Sequence, residues 1–288
     1  MSNSSAEQLL AAAEKRANSS GGWFSSKATA QEEAVEMFKA AANKFRIANR
    51  FNEAGDAFMR AGQVEEKSQD KDFAANTFFE ASKCYKMGSP EKAVSALSAS
   101  REILLGSGRF RQAADREKQL AELYKGDARD PQRAIQSYEK AAEWYSQEGA
   151  GATASGCYRE SATLAVEIGD FKKALERWEQ VAAMSLESNL TRYNVKDYYL
   201  SAGCCYLAIP DYVACSNAMG FYAQQDPSFP TTMEGRFLHS LLESCEQGDI
   251  EGFDARVMDY DRTKKIVGHM ATLVRAVRKA MQDEPDLA

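Results

Sequence analysis

Few residues in this chain are placed to do covalent chemistry. The two histidines, His239 and His269, stand thirty positions apart. Neither has a cysteine partner or a repeated ligand spacing, so no metal site or cofactor is expected. Six cysteines (Cys84, Cys157, Cys204, Cys205, Cys215 and Cys245) lack metal-type spacing and fall mostly in apolar helical patterns. Reduced, buried thiols are expected. Acidic pairs such as Glu32/Glu33 and Glu65/Glu66 lie in stretches of mixed charge, which suit solvated helix faces better than acid–base machinery. No HExxH, GxSxG or GxxxxGK[ST] pattern occurs, so neither hydrolysis nor nucleotide turnover is expected. The chemistry on offer is that of contact.

Three segments could make contacts. Trp23-Phe24 lies between Ser19-Ser-Gly-Gly22 and Ser25-Ser26, in a stretch of about 18–28 that suits a loop. The pair can either tuck onto the first hairpin or dip into a membrane. Burying each ring is worth roughly 1.5–3 kcal/mol, so a lipid contact would need a second attachment. In Leu190-Thr-Arg-Tyr-Asn-Val-Lys-Asp-Tyr-Tyr-Leu200, the spacing lets Arg192, Tyr193 and Lys196 share an exposed face at the start of a helix. That face is either a solvated cationic surface or an aromatic-plus-basic patch for an acidic helical partner. The ending Asp283-Glu-Pro-Asp-Leu-Ala288 sets Leu287 among carboxylates. Such a tail either solubilises or docks in a basic-rimmed apolar pocket.

What must position these segments is a repeat. An alanine followed four residues later by a bulky residue recurs eight times: Ala34/Phe38, Ala54/Phe58, Ala74/Phe78, Ala93/Leu97, Ala113/Glu117, Ala134/Tyr138, Ala154/Tyr158 and Ala174/Trp178. Only Glu117 breaks the bulky series. Residues i and i+4 share a helix face, so each pair offers a gap beside a knob. The step of about twenty residues fits one helix plus one turn. Gly106-Ser-Gly108, Asp130-Pro131, Gly149-Ala-Gly151 and Gly169-Asp170 punctuate it, and Pro90 and Pro131 suit first helical turns.

The pattern predicts an all-α fold: a TPR-like right-handed α-solenoid of antiparallel hairpins, with a C-terminal helical bundle as its cap. A first helix is expected over 6–17. After about Ala183 the rhythm fails, placing a division between 1–183 and 184–288. Helices are expected there over 196–208, 213–223, 233–245, 250–260 and 262–281. At 288 residues and 44% hydrophobic content the chain can build a core. Its opening, MSNSSAEQLL, has no basic-then-apolar leader, so nothing marks it for secretion. A net charge of −6 argues against nucleic acid as a partner.

In order and spacing, the AEQLLAAAEKRA opening, the aromatic loop, ANRFNEAGDAF, GRFRQAA, PQRAIQSYEKAAEWY, RYNVKDYY, SLLESCEQGD and the acidic ending resemble the soluble NSF attachment protein (alpha-SNAP) family over nearly the whole chain. The resemblance implies a cytoplasmic, peripherally membrane-associated adaptor that joins SNARE complexes to the AAA+ ATPase NSF. It would be a monomer when free, with several copies on each SNARE bundle. Residue by residue, it implies that Trp23 and Phe24 engage membrane and that Arg109, Leu190, Tyr193 and Lys196 face the SNARE bundle on a concave side. Glu243 and Glu246 would contact the ATPase, and Leu287 would stimulate it. Asp115 and Gly156 stand where the family usually has lysines, and Pro210 and Gln247 where it has acids. From another class comes a second reading, a generic α-repeat scaffold for peptides in a coat or chaperone assembly. That scaffold would carry a lysine- or asparagine-lined groove for a peptide carboxylate.

Overall fold

The computed structural model describes residues 2–19, 27–67 and 71–283. They form fourteen α-helices and two short 3-10 turns, and no strand occurs among the described residues. The protein is an all-α helical-repeat fold in two compact units, 1–150 and 151–288.

The N-terminal unit holds α1 (Ser2–Ala17), α2 (Lys27–Ile47), α3 (Phe51–Lys67), α4 (Lys71–Lys86), α5 (Pro90–Gly106), α6 (Phe110–Lys125) and α7 (Pro131–Gln147). Each helix packs on the next. The short connections make neighbours antiparallel. The alanine and bulky member of every pair within the unit are buried. Alanine lets a neighbouring backbone approach, and the larger residue fills the space gained. Burying a side chain such as Phe38 contributes roughly 1.5–3 kcal/mol.

Glu117 keeps its place in this series despite its charge. It is 1% exposed and accepts a 2.6 Å hydrogen bond from Arg101 Nη1 of α5. The ion pair occupies the volume that an aromatic ring fills elsewhere. Glu65 departs from the expected solvated face: it is buried and pairs with Lys39 of α2 at 2.7 Å. A second recurring device joins the helices of a hairpin edge to edge. Tyr85 of α4 donates to Asp56 of α3 at 2.6 Å, and Tyr145 of α7 donates to Asp115 of α6.

The regular step has a local cause. Gly149 closes α7 at φ +70°, and the next N–H, of Ala150, returns to Tyr145 O at 2.8 Å. Asn49 does the same after α2, at φ +58°, with Arg50 N–H on Phe45 O at 2.9 Å. Both are left-handed helix caps, which glycine and asparagine tolerate. Asp130 then caps the start of α7, accepting from Arg133 N–H at 3.0 Å, with Pro131 at its first turn.

The C-terminal unit begins with α8 (Gly151–Glu167) and α9 (Phe171–Leu186), which keep the repeat rhythm. After a 3-10 turn (Arg192–Asn194) come α10 (Val195–Ala208), α11 (Tyr212–Gln225), a second 3-10 turn (Phe229–Thr231), α12 (Met233–Glu246), α13 (Ile250–Thr263) and α14 (His269–Asp283). Here α10 is the hub, touching α9, α11, α12 and α14. Ten of its residues are buried, so it cannot show one apolar face, and this is why the rhythm fails. By contacts, α8 and α9 group with these helices: α9 lies on α10 and α8 reaches α14. The 183/184 boundary marks the end of the sequence rhythm, whereas the compact units divide at 150/151.

The closing helix starts later than the sequence suggested. Arg262 still belongs to α13, and α14 begins at His269. Lys264 leaves the helix in extended conformation because its ammonium is drawn to Asp197 and Glu234. Gly268 then turns the chain at φ +58°.

Candidate partner-binding site

The turn between α9 and α10 carries Leu190, Arg192 and Tyr193. Thr191 Oγ1 donates to Ser185 O at 3.0 Å, Arg192 N–H to Ser188 O at 2.9 Å, and Asn194 N–H to Thr191 O at 2.9 Å. These bonds fix the backbone so that Leu190 stands 93% exposed and Tyr193 75% exposed, with Arg192 exposed beside them. At that exposure Leu190 buries almost none of its apolar surface within the protein.

Lys196 stays beside Tyr193 but is half-buried, and its ammonium also meets a buried acid. Its ammonium turns back, 3.4 Å from Glu234 Oε2 and 4.4 Å from the centre of the Tyr193 ring. Glu234, in the first turn of α12, is 2% exposed. It also accepts a 2.8 Å hydrogen bond from Lys264, which in turn binds Asp197 of α10. Burial pushes the Glu234 carboxyl up, but Lys264 and Lys196 outweigh it and hold it below the usual range. Burial likewise pulls Lys196 down, and Glu234 more than reverses this. Four charges thus fasten the presenting turn to α12 and to the segment between α13 and α14. Nothing in the local sequence announces this cluster, since its members are 30 and 67 residues apart.

A cavity of about 430 Å³ opens beside the turn, with Ser155, Gly156, Ser185, Thr191 and Asn194 in its wall. Gly156 has open space where a side chain would begin, so the lysine usual in the family would fit here. Asp115, the other departure, is engaged by Tyr145. Arg109 lies in the N-terminal unit, at the start of α6, exposed and paired with Asp72.

Glu243 and Glu246 share the last turns of α12. Glu243 lies 3.3 Å from His239 and 3.8 Å from Arg256, while Glu246 is exposed. Gln247 caps that helix, and Pro210 follows α10 at φ +25°. Trp23, Phe24 and Leu287 lie outside the described residues.

Both histidines have structural surroundings. His269 stacks on Trp178 at 4.7 Å with Ser201 Oγ 3.2 Å from its ring, and burial lowers its pKa. The six cysteines are free and buried, and burial raises the thiols of Cys204, Cys205 and Cys215 above the range of a reactive group. Among the described residues no three His, Cys, Asp or Glu side chains converge as a metal site, and no helix is long and apolar enough to cross a membrane.

Stacked helical repeats carrying an exposed, ionically braced contact turn define an interaction scaffold. Its relatives say which kind. The model of the family described as "Soluble NSF attachment protein, SNAP" matches residues 4–282. The vesicular-fusion protein SEC17 of Coprinopsis cinerea is 40% identical, with 99% of this chain and 98% of that protein covered. Human alpha-soluble NSF attachment protein is 32% identical (97% and 96% covered), and bovine beta-soluble NSF attachment protein 31% (97% and 94%). The chain belongs to the soluble NSF attachment protein family. It is a vesicular-fusion adaptor and not an enzyme.

Proposed function

We propose that the chain binds SNARE complexes through Leu190, Arg192 and Tyr193, with Lys196 bracing the turn and Arg109 adding a cation from the N-terminal unit. It recruits and stimulates the AAA+ ATPase NSF through Glu243, Glu246 and Leu287, so that the motor separates the SNAREs. Trp23 and Phe24 supply a weak lipid contact that keeps the adaptor peripheral to the membrane, in the cytoplasm. Several copies on one bundle let weak contacts sum, because linked sites raise effective concentration.

The observation that carries this reading is the display of Leu190 and Tyr193 on a turn held from behind by Glu234. A rigid, pre-formed contact loses little entropy on binding. An apolar pair beside Arg192 suits an acidic helical bundle that must later be released.

The test is a SNARE pull-down paired with ATP-dependent disassembly by NSF. Leu190→Ala combined with Arg192→Glu should cut retention about tenfold or more at moderate salt, each side chain contributing on the order of 1 kcal/mol. Disassembly should fall in parallel while the melting temperature is unchanged, because neither residue is buried. Retention at the unaltered level would remove this turn from the interface.

A further inference from the structure

The protein is acidic overall, yet one groove of its N-terminal unit is cationic. Helices α2, α4 and α6, with Phe58 of α3, line a cavity of about 530 Å³ into which Lys39, Arg46, Lys83 and Arg116 converge. Lys39 is answered by the buried Glu65 at 2.7 Å. Arg46 and Lys83 share one carboxylate, Glu80, at 3.5 and 2.6 Å. Among the described residues no carboxylate forms an ion pair with Arg116. Four cations thus share two carboxylates, so positive charge is in excess in the groove.

Arg116 is the most exacting of the four. Its guanidinium lies over the Phe79 ring at 3.5 Å, reaches Gln119 only at 3.5 Å, and keeps a buried Nε without a hydrogen-bond partner. Burial pulls it below the usual guanidinium range, and Asp115 and Glu80 at longer distance do not offset this. A stacked, half-buried guanidinium with unused donors is matched by a planar anion that accepts two parallel hydrogen bonds. Asn43 and Asn76 add amides to the wall, suited to a peptide backbone. Phe73, 61% exposed, supplies an apolar face beside the cations.

We propose that this groove is a second docking site, for an extended acidic peptide that sets a carboxylate on Arg116 and Lys83 and an apolar side chain on Phe73. The amides and the aromatic face favour a peptide over a bare phosphate. The groove belongs to the N-terminal unit and the Leu190–Tyr193 turn to the other, so the site stands or falls independently of the SNARE reading. A groove of this kind is what the peptide-scaffold alternative required, here carried by a member of the attachment-protein family.

The test is fluorescence anisotropy on the full chain with a labelled Glu-Leu-Glu-Leu-Glu peptide. Saturable binding is expected that weakens as salt rises past the range where the Debye length falls to about 10 Å. The corresponding Gln-Leu-Gln-Leu-Gln peptide should not bind. Arg116→Gln and Lys83→Gln should each lower affinity about tenfold, as loss of a hydrogen bond to a charged group implies. Lys172→Gln, an exposed cation of α9, should change nothing. Lys83 is exposed, so its variant tests the groove even if Arg116→Gln perturbs folding, which circular dichroism would reveal. Three results would overturn the site: no saturable binding, unaltered binding by both groove variants, or loss of binding in Arg192→Glu, which would place the peptide on the other unit. Groove-dependent binding of vesicles rich in anionic phospholipid without any peptide binding would make it a lipid site and equally overturn the proposal.

Discussion

Two buried carboxylates, one in each unit, show how differently the protein uses internal charge. Glu117 sits in a slot that the other repeats fill with Phe, Leu, Tyr or Trp, and it is answered by Arg101 from the neighbouring helix. Arg101 keeps its Nε buried without a partner. The pair fills space in a stack whose cohesion comes from the alanines and rings around it. Glu234 joins elements far apart in sequence, with Lys196 on one side and Lys264 on the other, the latter also bound to Asp197. Here the charges form a joint, and the joint holds the turn that displays Leu190 and Tyr193. A buried ion pair replaced as a whole by apolar groups often costs nothing, whereas removing one partner strands the other. The contrast predicts that charge is dispensable in the repeats and indispensable behind the contact turn.

The largest effect should come from Glu234→Gln, which removes the buried carboxylate that Lys196 and Lys264 share. Urea unfolding should show a loss of about 2 kcal/mol, less than for a fully buried pair because Lys264 is partly exposed and keeps Asp197. The pH dependence adds a second readout. Because the folded-state pKa of Glu234 is held below its ordinary value, about 4.3 for a free glutamate, its contribution is complete above that value. It disappears as pH falls through the lower, folded-state value. Glu234→Gln should therefore lose less stability than the parent between about pH 5 and pH 2, and parallel curves would mean that the carboxylate is not the joint.

A smaller effect tests the repeated device of the N-terminal unit. Tyr85→Phe and Tyr145→Phe should each cost about 1 kcal/mol, the worth of one partly exposed hydrogen bond. Similar losses would identify the two tyrosine–aspartate bonds as equivalent parts of the repeat. A loss confined to one would show that they only look alike. The smallest change is expected from Arg101→Met combined with Glu117→Leu, which should match or slightly exceed the parent in thermal unfolding. A marked loss would move Glu117 into the same class as Glu234 and erase the distinction.

Legibility followed the range of the interactions. Ala34 and Phe38, like the other pairs, announce their burial because residues four apart on a helix must share a face, and the caps at Asn49, Gly149 and Asp130 act within a few residues of themselves. The contact turn was visible for the same reason: Leu190, Arg192 and Tyr193 are neighbours in the chain. The pairing of Lys196 with Glu234, 38 residues away, and the burial of Glu65 against Lys39 of another helix have no local sign. The late start of α14 has no local sign either, since Asp197 and Glu234 draw Lys264 from distant segments.

Sequence alone therefore determined the helical class, the twenty-residue step, the alanine-and-knob core and the segments that could meet partners, since these depend on backbone periodicity and on residues a turn or two apart. Only the tertiary structure decided which charges are spent internally and which remain for a partner. Lys196 went to the joint, Arg192 to the surface, and Arg116 to a groove that several helices build together. Those outcomes depend on distances between segments far apart in the chain, which packing sets and local spacing does not encode.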